Sequence, residues 1–181
     1  MSASDKEVTP SAPRGRPAKA SGGDTKYARK QQAIIAAASE ILNRDGVKGM
    51  TLANVASRVG LITTSVTYYF RKKEDLAVAC FLDAIGRTEA LVDMAARESD
   101  ARDRVQRLLQ LWLQLRQRIV AGKEPAVALF GDMRTLQKPQ RTVVGDAYRR
   151  FFAKLCALFE TPECAWMTPT QRAARAHILS E

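Results

Sequence analysis

The sequence predicts an all-α fold, a three-helix headpiece followed by a longer helical domain. Three observations lead to this prediction. Apolar residues recur at helical spacing from Tyr27 almost to the end of the chain, no stretch alternates as a strand does, and glycine, proline and capping residues interrupt the pattern. With 181 residues, 46% of them hydrophobic, the chain is long enough to bury a core in one domain or two.

Residues 1–24 are predicted to form a disordered basic tail, because Ser, Ala, Pro, Gly and Lys dominate and large apolar residues are almost absent. Within it Arg14, Gly15 and Arg16, flanked by prolines, resemble an AT-hook core. Prolines keep such a segment extended, glycine lets it approach the groove floor, and the arginines enter the negative potential of a narrow A/T minor groove. The alternative is a solvated linker without a specific role.

The headpiece is assigned to residues 25–75, and its first helix begins near Tyr27. The helix is expected to stop at Gly46 and to lie across the two helices that follow. Its apolar face consists of Ile34, Ala38, Ile41 and Leu42.

The stretch that begins TLANVASRVG and ends TYYFRKK predicts two short helices crossing at a tight turn. Gly60 falls where the turn needs a positive φ, which costs glycine little. Thr51 is expected to cap the first helix, and Thr63 or Thr64 the second. The apolar residues of the shared ridge are Leu52, Val55, Ala56, Val59, Leu61, Val66 and Tyr69.

Hydroxyl and aromatic side chains are left on the outer face of the second short helix: Thr63, Thr64, Ser65, Thr67 and Tyr68. In a helix-turn-helix this face reads base edges in the major groove, and short hydroxyls can bond to bases or phosphates. The net charge of +10 supports a polyanion partner, since more than half of it lies in the first 75 residues. Ordinary solubility charge is the competing explanation.

Residues 76–181 are predicted to form a helical domain that begins with a long amphipathic segment. Pro139 is expected as a first helical residue, and Thr168 to Gln171 form a capping box with a proline at the first helical position. A further helix is expected from Ser99 and Asp100, and a short one holds Val127, Leu129, Phe130 and Met133.

From Tyr27 to about Ala79 the sequence resembles the tetracycline-repressor (TetR/AcrR) family of bacterial transcriptional regulators. The residues that carry the resemblance are the Gly46 turn, Thr51, Val55, Ala56, Val59, Gly60, Val66, Tyr69, Phe70, Lys73 and Leu76. The rest of the chain matches only in the order and length of its helices. In this family that region binds small molecules and forms the dimer.

The resemblance implies that Thr51 and Lys73 hold phosphates at the groove edges and that Tyr69 lies near the DNA backbone. Thr67 is a departure, because many relatives have tyrosine there, so their target sequences do not transfer. Phe70, and in part Tyr69, have a competing interpretation as an aromatic plug between the two domains.

The resemblance also implies an unidentified small-molecule effector and a homodimer. Candidate effector contacts are bulky residues whose competing interpretation is plain core, namely Trp112, Phe130, Met133, Tyr148 and Phe152. Relatives dimerise through their last two helices, and here only the opening of one, from Pro169, is present. We therefore expect either a truncated chain or a dimer surface elsewhere.

The leading functional hypothesis is a DNA-binding transcriptional regulator without catalytic activity, which acts as a ligand-responsive repressor on a palindromic operator. An architectural, nucleoid-associated protein without a ligand is the alternative. An enzyme is disfavoured because the chain has one histidine, His177, and no metal-spaced Cys/His set, phosphate loop or acid pair, so no metal or cofactor is expected. Three cysteines without a C-x-x-C pair, no 20-residue apolar run and no signal peptide predict a bacterial cytoplasmic protein without a membrane partner.

Overall fold

The computed structural model describes residues 22–180, side chains from Thr25 onward, and this part of the chain is helical without strands. Within residues 22–180, seven α-helices and two short 3-10 helices follow one another. The α-helices are α1 (Gly22–Gly49), α2 (Leu52–Arg58), α3 (Thr63–Tyr69), α4 (Lys73–Ala95), α5 (Ala101–Val120), α6 (Gln140–Ala157) and α7 (Pro169–Ser180). The 3-10 helices are Phe130–Thr135 and Pro162–Cys164. We call α1 to α3 the headpiece and α4 to α7 the body. The all-α prediction is confirmed.

The first helix begins at Gly22, earlier than predicted, and its regular geometry breaks at Gly46, as predicted. Gly46 has φ 70° and ψ 176°, so it leaves the helical region although hydrogen bonding continues to Gly49. A second constraint acts at the same place, because a Cβ on Gly46 would collide with the carboxylate of Asp132. Both constraints favour glycine.

The helix-turn-helix has one of its two predicted caps. Thr51 Oγ1 accepts a hydrogen bond from the Asn54 amide at 3.1 Å, which confirms the cap of α2. The cap predicted at Thr63 or Thr64 is wrong, because Ile62 occupies the extended capping position of α3 and makes no side-chain bond. Both threonines are already helical, so their hydroxyls are not placed to cap the helix start.

In the body, α4 packs against α1, α5 and α6 and is the central helix. Asp100 caps α5 by accepting from the Asp103 amide at 2.9 Å. The predicted capping box of α7 is confirmed in both directions, since the Thr168 amide donates to Gln171 Oε1 at 2.9 Å and the Gln171 amide donates to Thr168 Oγ1 at 3.3 Å.

The predicted short helix around Val127 and Met133 is wrong in its first half. Residues 123–129 form no helix, and a 3-10 helix begins only at Phe130. Pro125 cannot donate a backbone hydrogen bond, and this segment is instead held by side chains of α1 and α4. Pro139 also differs from the prediction, because it is the residue before the first turn of α6.

One continuous apolar core joins the headpiece to the body through α4. It extends from Ile34 and Val66 in the headpiece through Phe81 in α4 to Leu155 in α6. Because the core crosses the boundary, burial couples the position of the headpiece to the body. None of the helices between residues 22 and 180 combines the length and hydropathy that a membrane crossing requires.

Candidate nucleic-acid interface

The turn between α2 and α3 fixes the angle at which the third helix leaves the headpiece. Gly60 adopts φ 66°, as predicted, and the Leu61 amide donates to the Ala56 carbonyl at 2.9 Å. Val55, Ala56 and Val66 are buried where the two helices cross. Burial of this ridge leaves the opposite face of α3 toward solvent.

The outer face of α3 consists of small hydroxyls and one large ring. Thr63 and Thr64 are exposed, whereas Ser65 and Thr67 are half-buried. Tyr68 is 75% exposed, which is unusual for so large a side chain in a folded domain. Its exposed phenol offers both a hydroxyl and an aromatic face to a partner.

Thr67 is less available than its neighbours. Its hydroxyl donates to the Thr64 carbonyl one turn earlier at 2.8 Å, so its proton is used within the helix. Its oxygen remains an acceptor, and a backbone phosphate has no proton to give it at neutral pH. The structure therefore favours Thr63, Thr64 and Ser65 over Thr67 as donors toward DNA.

The residues after Tyr68 turn back into the protein. Phe70 is 7% exposed and belongs to the core shared by headpiece and body, which agrees with its interpretation as a plug, and Tyr69 is half-buried. Lys73 is also half-buried, at the start of α4. Its ammonium donates to the carbonyls of Val47 at 3.3 Å and Lys48 at 3.2 Å, where α1 ends. This lysine closes the junction between α1 and α4.

Basic residues on the first turns of α1 were missed by the sequence reasoning. Lys26, Arg29 and Lys30 are exposed. Lys30 lines a cleft of about 390 Å³ together with Leu61 of the turn and four residues of α3, Thr64, Ser65, Tyr68 and Tyr69. The run KYARK carries the signal, but a helical pattern alone does not show that Lys30 lies beside α3. Lys30 beside the hydroxyl face, with Lys26 and Arg29 on the adjoining surface of α1, suits a phosphate backbone.

Three of the five candidate effector residues come together in the body. Tyr148 contacts Phe130 at 5.5 Å and Phe152 at 6.4 Å between ring centroids, and Phe130 and Tyr148 also contact the buried Phe151. Trp112 and Met133 are half-buried and pack against the same core. Three open clefts among the described residues are lined by other side chains.

The segment of residues 123–136, which we call the strap, ties the body to the end of α1. Asn43 donates to the Val127 carbonyl and accepts from the Leu129 amide, both at 2.8 Å. Asp132 accepts from the Val47 amide at 2.9 Å. On the body side, Arg87 of α4 donates to the Pro125 carbonyl at 2.9 Å. These bonds connect the aromatic cluster, which includes Phe130, to the headpiece.

Cys80 and Cys156 offer little nucleophilic chemistry. Burial raises the pKa of the Cys80 thiol to about 12, and burial also raises the pKa of Cys156. Both thiols are therefore protonated at neutral pH, and a protonated thiol is a poor nucleophile and metal ligand. Between residues 22 and 180 the His, Cys, Asp and Glu side chains form no group of three suited to a metal ion.

The fold and the site together define a helix-turn-helix DNA-binding protein with a helical body. The sequence model described as "Bacterial regulatory proteins, tetR family" matches residues 34–80, which span α1, α2, α3 and the start of α4. The helix-turn-helix region of this chain therefore resembles that of a family of bacterial transcriptional regulators. The search of curated protein sequences gives no significant match.

Solved structures share the fold over most of the chain. The TetR family transcriptional regulator PfmR from Thermus thermophilus is 14% identical, with a TM-score of 0.62, covering 81% of this chain and 79% of PfmR. The fatty acid degradation regulator FadR from Bacillus halodurans is 20% identical, with a TM-score of 0.62, and the match covers 83% of this chain and 78% of FadR. AibR, solved with isovaleryl coenzyme A and operator DNA, is 13% identical, with a TM-score of 0.64, covering 82% and 80%. At these identities the likeness concerns the fold.

Proposed function

We propose that the protein is a dimeric, ligand-responsive repressor that reads a palindromic operator by placing α3 of each protomer in the major groove. The observation that carries the proposal is the outer face of α3, where highly exposed Tyr68 adjoins Thr64 and Ser65 beside Lys30 of α1. A recognition helix reads only a few base pairs, so two half-sites one helical turn apart supply useful specificity.

Within this proposal the residues divide by what they contact. Thr63, Thr64, Ser65 and Tyr68 face base edges or adjacent phosphates, and Thr67 contributes its methyl group. Thr51 and Tyr69 lie toward the DNA backbone. Lys73 acts mainly by holding the end of α1, because a phosphate would compete with its two carbonyl partners.

The minor-groove arm at Arg14, Gly15 and Arg16 lies outside the described residues and remains part of the proposal. The support for this arm is the position of the first turns of α1, which follow it in the chain. Tyr27 contacts Tyr68, so the first turns of α1 lie beside the recognition helix. A basic segment that precedes them is tethered close to the same DNA, which raises its effective concentration at the neighbouring groove.

The effector acts, in this proposal, on the aromatic cluster of the body with Trp112, Phe130, Met133, Tyr148 and Phe152 as its contacts. The rings touch one another, so an apolar ligand binds by separating Phe130 from Tyr148. Movement of Phe130 displaces the strap and the bonds of Asn43 and Asp132 with α1. The ligand would thereby shift the headpieces out of register with the operator.

An apolar acyl thioester is the first effector class to test, since AibR was solved with isovaleryl coenzyme A. The exposed Trp166 and Ile178, near and on α7, support a dimer surface that includes the one terminal helix present. The protein would act in the bacterial cytoplasm on nucleoid DNA, without catalysis.

The decisive experiment selects duplexes from a random DNA pool with the full chain and then measures their release by acyl coenzyme A compounds. A palindrome with half-site centres about 10 base pairs apart is expected, or a simple multiple of that spacing. Analytical ultracentrifugation should show two chains per duplex. Recovery of A/T-rich DNA without a shared palindrome and without any ligand response would favour the architectural alternative.

A further inference from the structure

Three tyrosines from two helices form a closed cluster on the headpiece surface. Tyr27 of α1 lies 4.7 Å from Tyr69 and 6.1 Å from Tyr68 between ring centroids, and Tyr68 lies 5.3 Å from Tyr69. Two of the three contacts are edge-to-face, with interplanar angles of 77° and 89°. This arrangement is attractive because the positive edge of one ring meets the negative face of another.

The cluster acts on a side chain that would otherwise be mobile. Tyr68 is 75% exposed and lies in the last turn of α3, a helix of seven residues. A long exposed side chain near a helix end samples several rotamers, and binding DNA then requires that freedom to be lost. Tyr27 and Tyr69 limit the rotamers in advance by packing on two sides of the ring.

We propose that Tyr27 is a positioning residue for DNA recognition, which holds the Tyr68 ring in its reading orientation before DNA arrives. This inference rests on the proposed role of Tyr68 as a base contact. It assigns a specificity role to a residue of α1 that lies 41 positions earlier in the chain.

Tyr27 is itself partly exposed, so a direct contact between its hydroxyl and a DNA phosphate is the competing explanation. It is 39% exposed and lies between Lys26 and the cations Arg29 and Lys30, so its hydroxyl is near any phosphate that those residues bind. A phosphate contact would strengthen binding to every DNA sequence equally and would need the hydroxyl. A positioning role needs only the ring and favours the preferred sequence.

The test is a double-mutant cycle in the full chain. Tyr27→Ala, Tyr27→Phe, Tyr68→Ala and the Tyr27→Ala/Tyr68→Ala pair are measured against two duplexes of equal length. One is the best sequence recovered by selection with the wild type, and the other is its scrambled version. Gln32→Ala, another exposed position of α1, is the matched control for shortening a side chain on this helix.

Tyr27→Ala should weaken binding to the selected duplex about three- to tenfold, the effect of one or two aromatic contacts, and should leave the scrambled duplex unaffected. Tyr27→Phe should stay within about twofold of the wild type, as neutral surface changes do. In the Tyr68→Ala background, Tyr27→Ala should have no further effect, because there is no ring left to position.

Other results would overturn the inference in distinguishable ways. Independent, additive losses from the two alanine changes, with Tyr68→Ala still reducing specificity, would reject the role of Tyr27 alone. An equal loss in Tyr27→Phe on both duplexes would assign the residue to phosphate binding. Wild-type behaviour of Tyr68→Ala on both duplexes would reject the base-reading role of Tyr68, and the inference with it. Tyr27→Leu, which keeps apolar bulk, serves if the alanine variant loses helicity by circular dichroism.

Discussion

The headpiece and the body each contain a cluster of contacting aromatic rings, and the two clusters differ in what covers them. In the headpiece, Tyr27 and Tyr68 lie at the surface with their hydroxyls available to a partner. In the body, Phe130 and Tyr148 pack against Phe151, which is fully buried. Exposed rings contribute little to the free energy of unfolding, whereas a fully buried ring contributes much, so similar ring contacts should differ in their effect on stability.

The largest effect that tests this comparison is expected in the body. Phe151→Ala should lower the free energy of unfolding by about 3–5 kcal/mol, because a buried ring is lost and a cavity remains. Tyr68→Ala should lower it by only about 1 kcal/mol, because the exposed ring loses little buried area and only its contacts with Tyr27 and Tyr69. Urea unfolding of the two variants measures both values, and similar losses would contradict the division into stability and binding clusters.

Gly46 and Gly60 both have positive φ, but only Gly46 also lies against Asp132 of the strap. Alanine substitutions at the two positions therefore distinguish the cost of backbone strain from the cost of disturbing that contact. Gly60→Ala should cost about 1–2 kcal/mol of stability from the left-handed geometry alone, since its added Cβ meets only open space. Gly46→Ala should cost about 1 kcal/mol more, because its Cβ pushes Asp132 away from the Val47 amide. Equal losses in urea unfolding would mean that the Asp132 contact contributes nothing.

Specific and general binding should divide between α3 and α1. Tyr68→Ala should cost about 1–3 kcal/mol on the selected duplex and much less on a scrambled one, if Tyr68 contacts bases. Lys30→Ala should weaken both duplexes alike and reduce the slope of log affinity against log salt by about one. Fluorescence anisotropy titrations over a range of salt concentrations measure both effects. A uniform loss in Tyr68→Ala would indicate a backbone contact instead.

We expect the strap to transmit the effect of ligand binding at the aromatic cluster of the body to the headpiece. Asn43→Ala removes both bonds from α1 to the Val127 and Leu129 backbone and should lower stability by about 1 kcal/mol. Once an effector is identified, this variant should still bind it but should release DNA less completely. Calorimetry and operator titration measure the two properties. Gln32→Ala is the control on the same helix, and full release by Asn43→Ala would place the communication elsewhere.

Acid should weaken the start of α5 in the body before it weakens the start of α2 in the headpiece. The hydrogen bond from the Ala101 amide lowers the pKa of Glu163 below its ordinary value of 4.5. A lowered pKa in the folded state means that the stabilisation is complete above the unfolded pKa and is lost as pH falls through the folded one. The neutral hydroxyl of Thr51 does not titrate in this range.

This predicts that the difference in melting temperature between the wild type and Glu163→Gln is positive at pH 7 and shrinks below about pH 4.5. Thr51→Ala is the matched control, because its deficit should stay nearly constant over the same range. A difference in melting temperature that does not change with pH for Glu163→Gln would show that the carboxylate charge does not stabilise the start of α5.

Local sequence was enough to predict most of the helices, the turn of the helix-turn-helix and the make-up of its outer face. Helical spacing of Val55, Ala56 and Val66, a glycine that adopts positive φ and the capping residues Thr51 and Thr168 are features of neighbouring residues, so short-range geometry suffices to predict them. The helix predicted around Val127 failed because distant side chains on α1 and α4 bind that backbone.

Contacts between residues that are far apart in sequence were decided by tertiary packing alone. Packing placed Tyr27 and Lys30 beside the recognition helix, turned the ammonium of Lys73 toward the end of α1, and joined the strap to Asn43. Such contacts depend on the relative placement of helices that are far apart in sequence. That placement is set by the burial of the shared core, and a one-dimensional pattern does not contain it.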